Sequence, residues 1–150
     1  MKKIFLALLL IFTISGFSAY AQCGEELLKQ ALKEMGDGQY IKDFNVDLKK
    51  ENKETNTGYV KFSIILNSRS HYKFNVVDSK TNAEGAIMQL YDGDNLLASN
   101  LEKGKLYKSF EVVIGKTKVY NLVISYKGGV EGCSAAVQSL IKQYTIEEMK

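Results

Sequence analysis

The sequence predicts an all-β fold: an antiparallel β-sandwich of jelly-roll type, with seven or eight strands and one short N-terminal α-helix. Three observations predict it. From Phe44 onward apolar residues recur at every second position, as in Phe44, Val46 and Leu48, then Val60, Phe62, Ile64 and Leu66. Such a period of two buries one face of a strand. Short polar or glycine-bearing stretches separate the runs. The one clear helical period lies before them, at Leu27, Leu28, Ala31, Leu32 and Met35.

The chain opens Met1-Lys2-Lys3, followed by the apolar run Ile4–Phe17 and by Ala19-Tyr20-Ala21. A basic start, a short apolar segment and small residues at the two positions a signal peptidase reads form the pattern of an export leader. The run is shorter than the roughly 20 residues a membrane-spanning helix needs. Residues 1–21 are therefore expected to be a signal peptide cut between Ala21 and Gln22. The protein is expected to be secreted or periplasmic, and no later run is long enough to span a bilayer.

The 129 residues after position 21 suit a single hydrophobic core. They divide into a β-sandwich domain over 22–144, with its helix over 23–35, and a loose tail over 145–150. The leader holds two of the twenty basic residues and none of the seventeen acids, so the chain from Gln22 onward carries a formal charge of +1. That balance gives no electrostatic footprint for nucleic acid.

Each element has a local reason. Glu25 and Glu26 fall in the first helical turn, where the helix dipole favours negative charge. Gly36 is a natural stop. After it come strands around Phe44–Leu48 and Val60–Leu66, then Tyr72–Val76 beyond the Asn67–Ser70 turn. Ala86, Met88 and Leu90 lead into the tight turn Asp92-Gly93-Asp94-Asn95 and on to Leu96–Ala98. Phe110, Val112 and Ile114 precede Gly115-Lys116, and Tyr120–Tyr126 ends at Gly128-Gly129. The last segment fits a strand, through Cys133, Ala135 and Val137, and also a helix, through Val137, Leu140, Ile141 and Tyr144. A strand from about Gly132 to Ile141 is favoured. The chain has no proline, so glycine, asparagine and aspartate make the turns.

The outward faces of several strands are not cleanly polar: Ile65, Val77, Ile87, Tyr91, Val113 and Val123 interrupt them. Something is expected to cover part of that surface. The helix, whose stripe lacks any other partner, is the favoured cover, and an interaction patch for another secreted or envelope protein is the alternative.

Cys23 and Cys133 are the only cysteines. An oxidising compartment favours a disulfide between them. Lipidation of Cys23 is the competing reading, but Gln22 and Tyr20 match poorly the small residues that precede a bacterial lipid-anchor cysteine.

The run Tyr72–Tyr126 resembles the bacterial pre-peptidase C-terminal β-sandwich family. Its aromatic-x-Phe strand corresponds to Tyr72 and Phe74, its L-x-D-turn-x-L hairpin to Leu90–Leu97, and its late tyrosine-led strand to Tyr120–Ile124. The resemblance covers about half of the chain after the leader. It implies a jelly-roll-like sandwich and a non-catalytic role in folding, secretion or substrate binding. No peptidase domain accompanies it here.

An enzyme finds little support. His71 is the only histidine. Ser70 beside it would point to the opposite face of a strand, whereas a catalytic triad must converge. No carboxylate pair stands out for a hydrolase. Asp92, Asp94 and Asn95 offer oxygens for calcium, but the EF-hand pattern around them is missing, and a hairpin turn accounts for the same residues. No cofactor or metal is expected. The candidate ligand surface is aromatic. Tyr59, Tyr91 and Tyr107 have the parity opposite to the core, unlike Tyr72, Tyr120 and Tyr126. The expected function is a non-catalytic binding or structural module. A carbohydrate- or peptide-binding module using those tyrosines and a subunit of an envelope complex are the alternatives, with a hydrolase the least favoured.

Overall fold

The computed structural model describes residues 24–48, 58–79, 85–126 and 132–149. The signal-peptide segment and Cys23 lie outside them. Among the described residues, one α-helix, α1 (Glu25–Glu34), precedes ten strands. These are β1 (Gln39–Leu48), β2 (Tyr59–Leu66), β3 (Ser70–Asp78), β4 (Ala86–Asp92), β5 (Asn95–Ser99), β6 (Leu101–Glu102), β7 (Lys105–Leu106), β8 (Ser109–Ile114), β9 (Lys118–Tyr126) and β10 (Gly132–Gln143). Eight form two four-stranded antiparallel sheets, in the orders β1-β10-β3-β8 and β2-β9-β4-β5, and β6 and β7 pair separately as a small hairpin. The segment that fitted both periods is a strand, as favoured. Its twelve residues form the second strand of the first sheet, between β1 and β3.

The predicted alternation fills the space between the sheets. Phe44, Val46, Tyr72, Phe74 and Val76 of the first sheet meet Ile64, Leu66, Met88, Leu90, Leu122 and Ile124 of the second. The Phe44 and Phe62 ring centroids are 4.9 Å apart, and those of Phe74 and Phe110 are 5.2 Å apart, within the range of favourable aromatic pairing.

Of the turns expected from the sequence, only Gly93-Asp94 joins neighbouring strands of one sheet, β4 and β5. Gly93 takes φ 58 there. A first turn residue with positive φ suits a two-residue hairpin of type II′. Asn67–Arg69 and Gly115–Thr117 instead carry the chain from one sheet to the other. These two corners are stitched together: the Ser68 amide donates to Thr117 Oγ1 at 2.8 Å and the Arg69 amide to the Ile114 carbonyl at 2.7 Å.

The helix packs on the outer face of the first sheet. Leu27 and Ala31 bury against Val77, Cys133, Ala135 and Val137, with Leu28 and Met35 beside them. It therefore covers Val77 among the outward apolar residues of the sequence, as the stripe predicted. Ile65, Ile87, Tyr91 and Val123 lie on the other sheet, and Val113 on β8 stays exposed. After β10, the Thr145 amide donates to the Glu148 carboxylate at 2.8 Å and the Glu148 amide to Thr145 Oγ1 at 3.3 Å. This reciprocal cap opens a 3₁₀ turn over Glu147–Met149.

Candidate functional site

The two outer faces of the sandwich differ. One carries the helix. The other, formed by β2, β9 and β4, leaves Tyr59, Ile65 and Val119 at 46%, 69% and 55% exposure, which makes it the surface on which a ligand would find room.

Strand register sets what this face presents. Along β9, residues 119, 121, 123 and 125 point outward, opposite in parity to the buried Tyr120, Leu122 and Ile124. Ser125 is flanked by Tyr59 and Ile87, Val123 by Lys61 and Gln89, and Asn121 by Ser63 and Tyr91. Ile65 stands opposite Val119 at the far end. Ser63 Oγ donates to Asn121 Oδ1 at 3.3 Å, tying β2 to β9 across the face.

These side chains surround a hollow of ≈ 550 Å³. Tyr59, Lys61, Gln89, Tyr91, Asn121 and Val123 line it, and the Gly93-Asp94 turn closes one end. The size is in the range of small-molecule sites. By register, Tyr59 and Tyr91 lie two strand spacings and four residues of β9 apart, a diagonal of about 16 Å. The Lys61 ammonium has no carboxylate partner among the described residues, and Asp94 on the rim has no cationic one.

Of the three tyrosines chosen by parity, Tyr59 and Tyr91 thus converge on one hollow. Tyr107 does not. It follows β7, with the Lys105 ammonium 4.8 Å from its ring centroid, and is 43% exposed. The tyrosines of core parity are buried, and their hydroxyls are bonded. Tyr72 accepts from the Asn67 amide at 3.1 Å, Tyr120 donates to the Lys116 carbonyl at 2.7 Å, and Tyr126 donates to Ser134 Oγ at 2.8 Å.

Val123 was noted in the sequence as an outward apolar residue, but Lys61, Gln89, Asn121 and Ser125 were not singled out by sequence reasoning. Their signal was available, since all share the outward parity of Tyr59 or Tyr91. What it lacked was the order β2-β9-β4, which brings residues distant in the chain into one hollow.

The remaining chemistry-bearing residues do not converge. Ser70 is fully buried, its hydroxyl on Gln143 Oε1 at 2.6 Å. His71 faces outward and pairs through Nε2 with Glu111 at 2.8 Å. Asp92 of the acidic turn holds Lys118 at 2.6 Å. Among the described residues no three of His, Cys, Asp and Glu gather as a metal site. No described helix is long and apolar enough to cross a membrane.

No family model and no curated protein matches the chain in sequence. Two solved structures are similar in fold. One is PliG, a periplasmic inhibitor of g-type lysozyme from Aeromonas hydrophila, with TM-score 0.47 and 5% identity over 69% of this chain and 88% of that one. The other is the pre-peptidase C-terminal domain of a collagenase from Bacillus anthracis, with TM-score 0.47 and 13% identity over 68% of this chain and 90% of that one. The latter belongs to the family the strand pattern resembles.

Proposed function

We propose that the protein is an exported, non-catalytic binding module whose ligand face is the outer surface of β2, β9 and β4. The observation that carries this reading is the hollow between Tyr59 and Tyr91, over which no described element packs, on a sandwich whose opposite face is occupied by its own helix. The divergence of Ser70 and His71 speaks against acyl-transfer chemistry there. The test is retention of the chain, from Gln22 onward, on envelope material of the native cell. Tyr59→Ala combined with Tyr91→Ala should abolish it, and Tyr107→Ala should leave it intact. Equal retention of all three proteins removes the reading.

The same proposal takes residues 1–21 as a cleaved leader, the rest as a single sandwich domain, and Cys23 as the disulfide partner of Cys133. Cys133 supports the pairing: it is buried beneath the helix, whose first turn follows Cys23 in the chain. Non-reducing mass spectrometry of the mature protein should find it two hydrogens lighter than the dithiol. An added diacylglycerol would instead make Cys23 an anchor.

A second reading, a subunit of an envelope complex, draws on Ile65 and Val119. They form an exposed apolar pair at the far end of the same face. It predicts that Ile65→Ser, rather than the tyrosine pair, abolishes retention.

A further inference from the structure

We infer that the hollow on β2, β9 and β4 takes an oligosaccharide bearing a carboxylate, with the acidic group over Lys61. This deepens the binding-module reading and rests on it.

The first argument is the kind of groups present. A pyranose has a C–H face, which packs on an aromatic ring, and a rim of hydroxyls, which pair with planar amides. The hollow offers Tyr59 and Tyr91 as rings, and Gln89 and Asn121 as amides between them. Gln89 shows no side-chain hydrogen bond within the described protein, so both halves of its amide are available. Asn121 Oδ1 accepts from Ser63, while its amide N–H groups make no such bond.

The second argument is spacing. A diagonal of about 16 Å between the tyrosines is too long for one sugar ring to touch both. A short chain can cross it. Such a chain would run obliquely over Val123, the central apolar residue of the floor.

The third argument is charge. Lys61 is exposed and lies on β2 two residues from Tyr59, opposite Val123. No described carboxylate neutralises it. Asp94, the acid on the rim, sits at the β4–β5 turn, beyond Tyr91, at the opposite end of the hollow. Lys42, on edge strand β1, points its ammonium at the Phe44 ring, 5.5 Å from the centroid, and is not part of this lining. An anionic group on the ligand is therefore drawn to the Tyr59 end and held away from the Tyr91 end. That asymmetry sets the polarity of the bound chain.

The experiment titrates the disulfide-intact mature chain with oligogalacturonate and with cellopentaose, a neutral chain of similar length. Amide shifts are followed in ¹H–¹⁵N spectra. The expected result is saturable shifts confined to β2, β9, β4 and the Gly93-Asp94 turn, with oligogalacturonate at least about tenfold tighter and more salt-sensitive. Lys61→Gln should remove that preference. Tyr59→Ala and Tyr91→Ala should each weaken both sugars, and Tyr59→Phe should restore them. All three positions are at the surface, so the variants' unaltered spectra elsewhere report an intact fold. Equal affinity for both sugars, or a preference that survives Lys61→Gln, overturns the acidic assignment. Absence of shifts with either sugar overturns the saccharide assignment. In that case, loss of envelope retention in the double tyrosine variant leaves the binding face standing with a different ligand, and undiminished retention removes both.

Discussion

Asn75 of β3 donates its side-chain amide to the carbonyl of Ala31 in α1 at 2.8 Å, both residues being buried. Two residues earlier on the same face, Lys73 Nζ reaches the Met35 carbonyl at 3.2 Å. The Met35 carbonyl lies at the C-cap, where intrahelical donors run out, while the Ala31 carbonyl already accepts from the Met35 amide at 3.0 Å and takes Asn75 as a second donor. Packing of Leu27 and Ala31 on Val77, Ala135 and Val137 supplies the apolar part of the contact. Asn75→Ala should therefore cost about 1–3 kcal/mol, since it strips a buried hydrogen bond, read as a lower urea midpoint. Lys73→Ala, at a half-exposed site, should cost less than about 1 kcal/mol. Hydrogen exchange should speed up in α1 and stay unchanged in β9. A uniform rise across both sheets would mean that the helix is not an independently docked element.

Asn100 completes β4 where β5 ends. Its Oδ1 accepts from the Met88 amide at 2.7 Å, and its Nδ2 donates to the Ala86 and Tyr107 carbonyls, each at 3.0 Å. The residue is 1% exposed. Asn100→Ala orphans three groups at once and should cost about 2–4 kcal/mol, given about 1–3 for the first and less for those that water can reach. Asn100→Asp should be nearly as harmful, because its second oxygen would face two carbonyls. A midpoint within error of the parent protein would show that water takes over the ladder.

Much of the sandwich was legible because its signal is local. Phe44-x-Val46 or Tyr72-x-Phe74-x-Val76 states, without reference to any other strand, which side chains face the core. The same parity placed Tyr59 and Tyr91 outside and Tyr72, Tyr120 and Tyr126 inside. Pairing is not local. Nothing in Lys61 or Asn121 announces that β2 and β9 are neighbours, because 58 residues separate Ser63 from Asn121. The corners at Asn67–Arg69 and Gly115–Thr117 look in sequence like the hairpin at Gly93, yet they switch sheets. The β6–β7 hairpin was missed because its strands are two residues each, too short to show a period. Asn100, in turn, reads as one more turn residue until its buried partners are known.

Acid should loosen the end of the chain first. Lys142, at 2.7 Å, and the Thr145 amide hold the Glu148 carboxylate at a pKa of about 2, below its ordinary 4.5. A depressed carboxylate stabilises the fold above its unfolded pKa, and that contribution fades as pH falls from about 4.5 toward 2. Carboxyl NMR should follow Glu148 titrating in that window, with the Thr145 and Glu148 amide shifts moving alongside it. Titration near 4.5 with static amides would mean that the cap is not populated in solution.

Asp78 carries the opposite sign. Burial raises its pKa above 3.8, partly offset by the Ala86 amide, which donates to Oδ2 at 3.0 Å, while Oδ1 has no hydrogen-bond partner among the described residues. Its charge therefore weakens the fold increasingly as pH rises from 3.8 through the raised folded value. Asp78→Asn keeps an acceptor for the Ala86 amide and removes the charge. It should be more stable than the parent protein at pH 7 relative to pH 3, as read from paired urea titrations. A difference independent of pH would show that Asp78 keeps enough solvent to ionise normally.

Gly132 marks the tightest approach at the start of β10. A Cβ added there would meet three Tyr126 ring atoms at 2.4–2.6 Å. The ring cannot easily retreat, since it is 4% exposed and its hydroxyl is fixed on Ser134 Oγ at 2.8 Å. Gly132→Ala should therefore cost about 1–3 kcal/mol through overpacking, despite alanine's better fit to an extended backbone. Gly115→Ala is the matched control. Nothing lies within 4 Å of its added Cβ, and its backbone is not in the left-handed region, so its effect should stay within about 0.5 kcal/mol. Gly132→Ala combined with Tyr126→Leu should recover part of the loss, because the shorter side chain vacates the clash. Absence of any recovery would place the strain in the backbone of β10 and not in its contact with the ring.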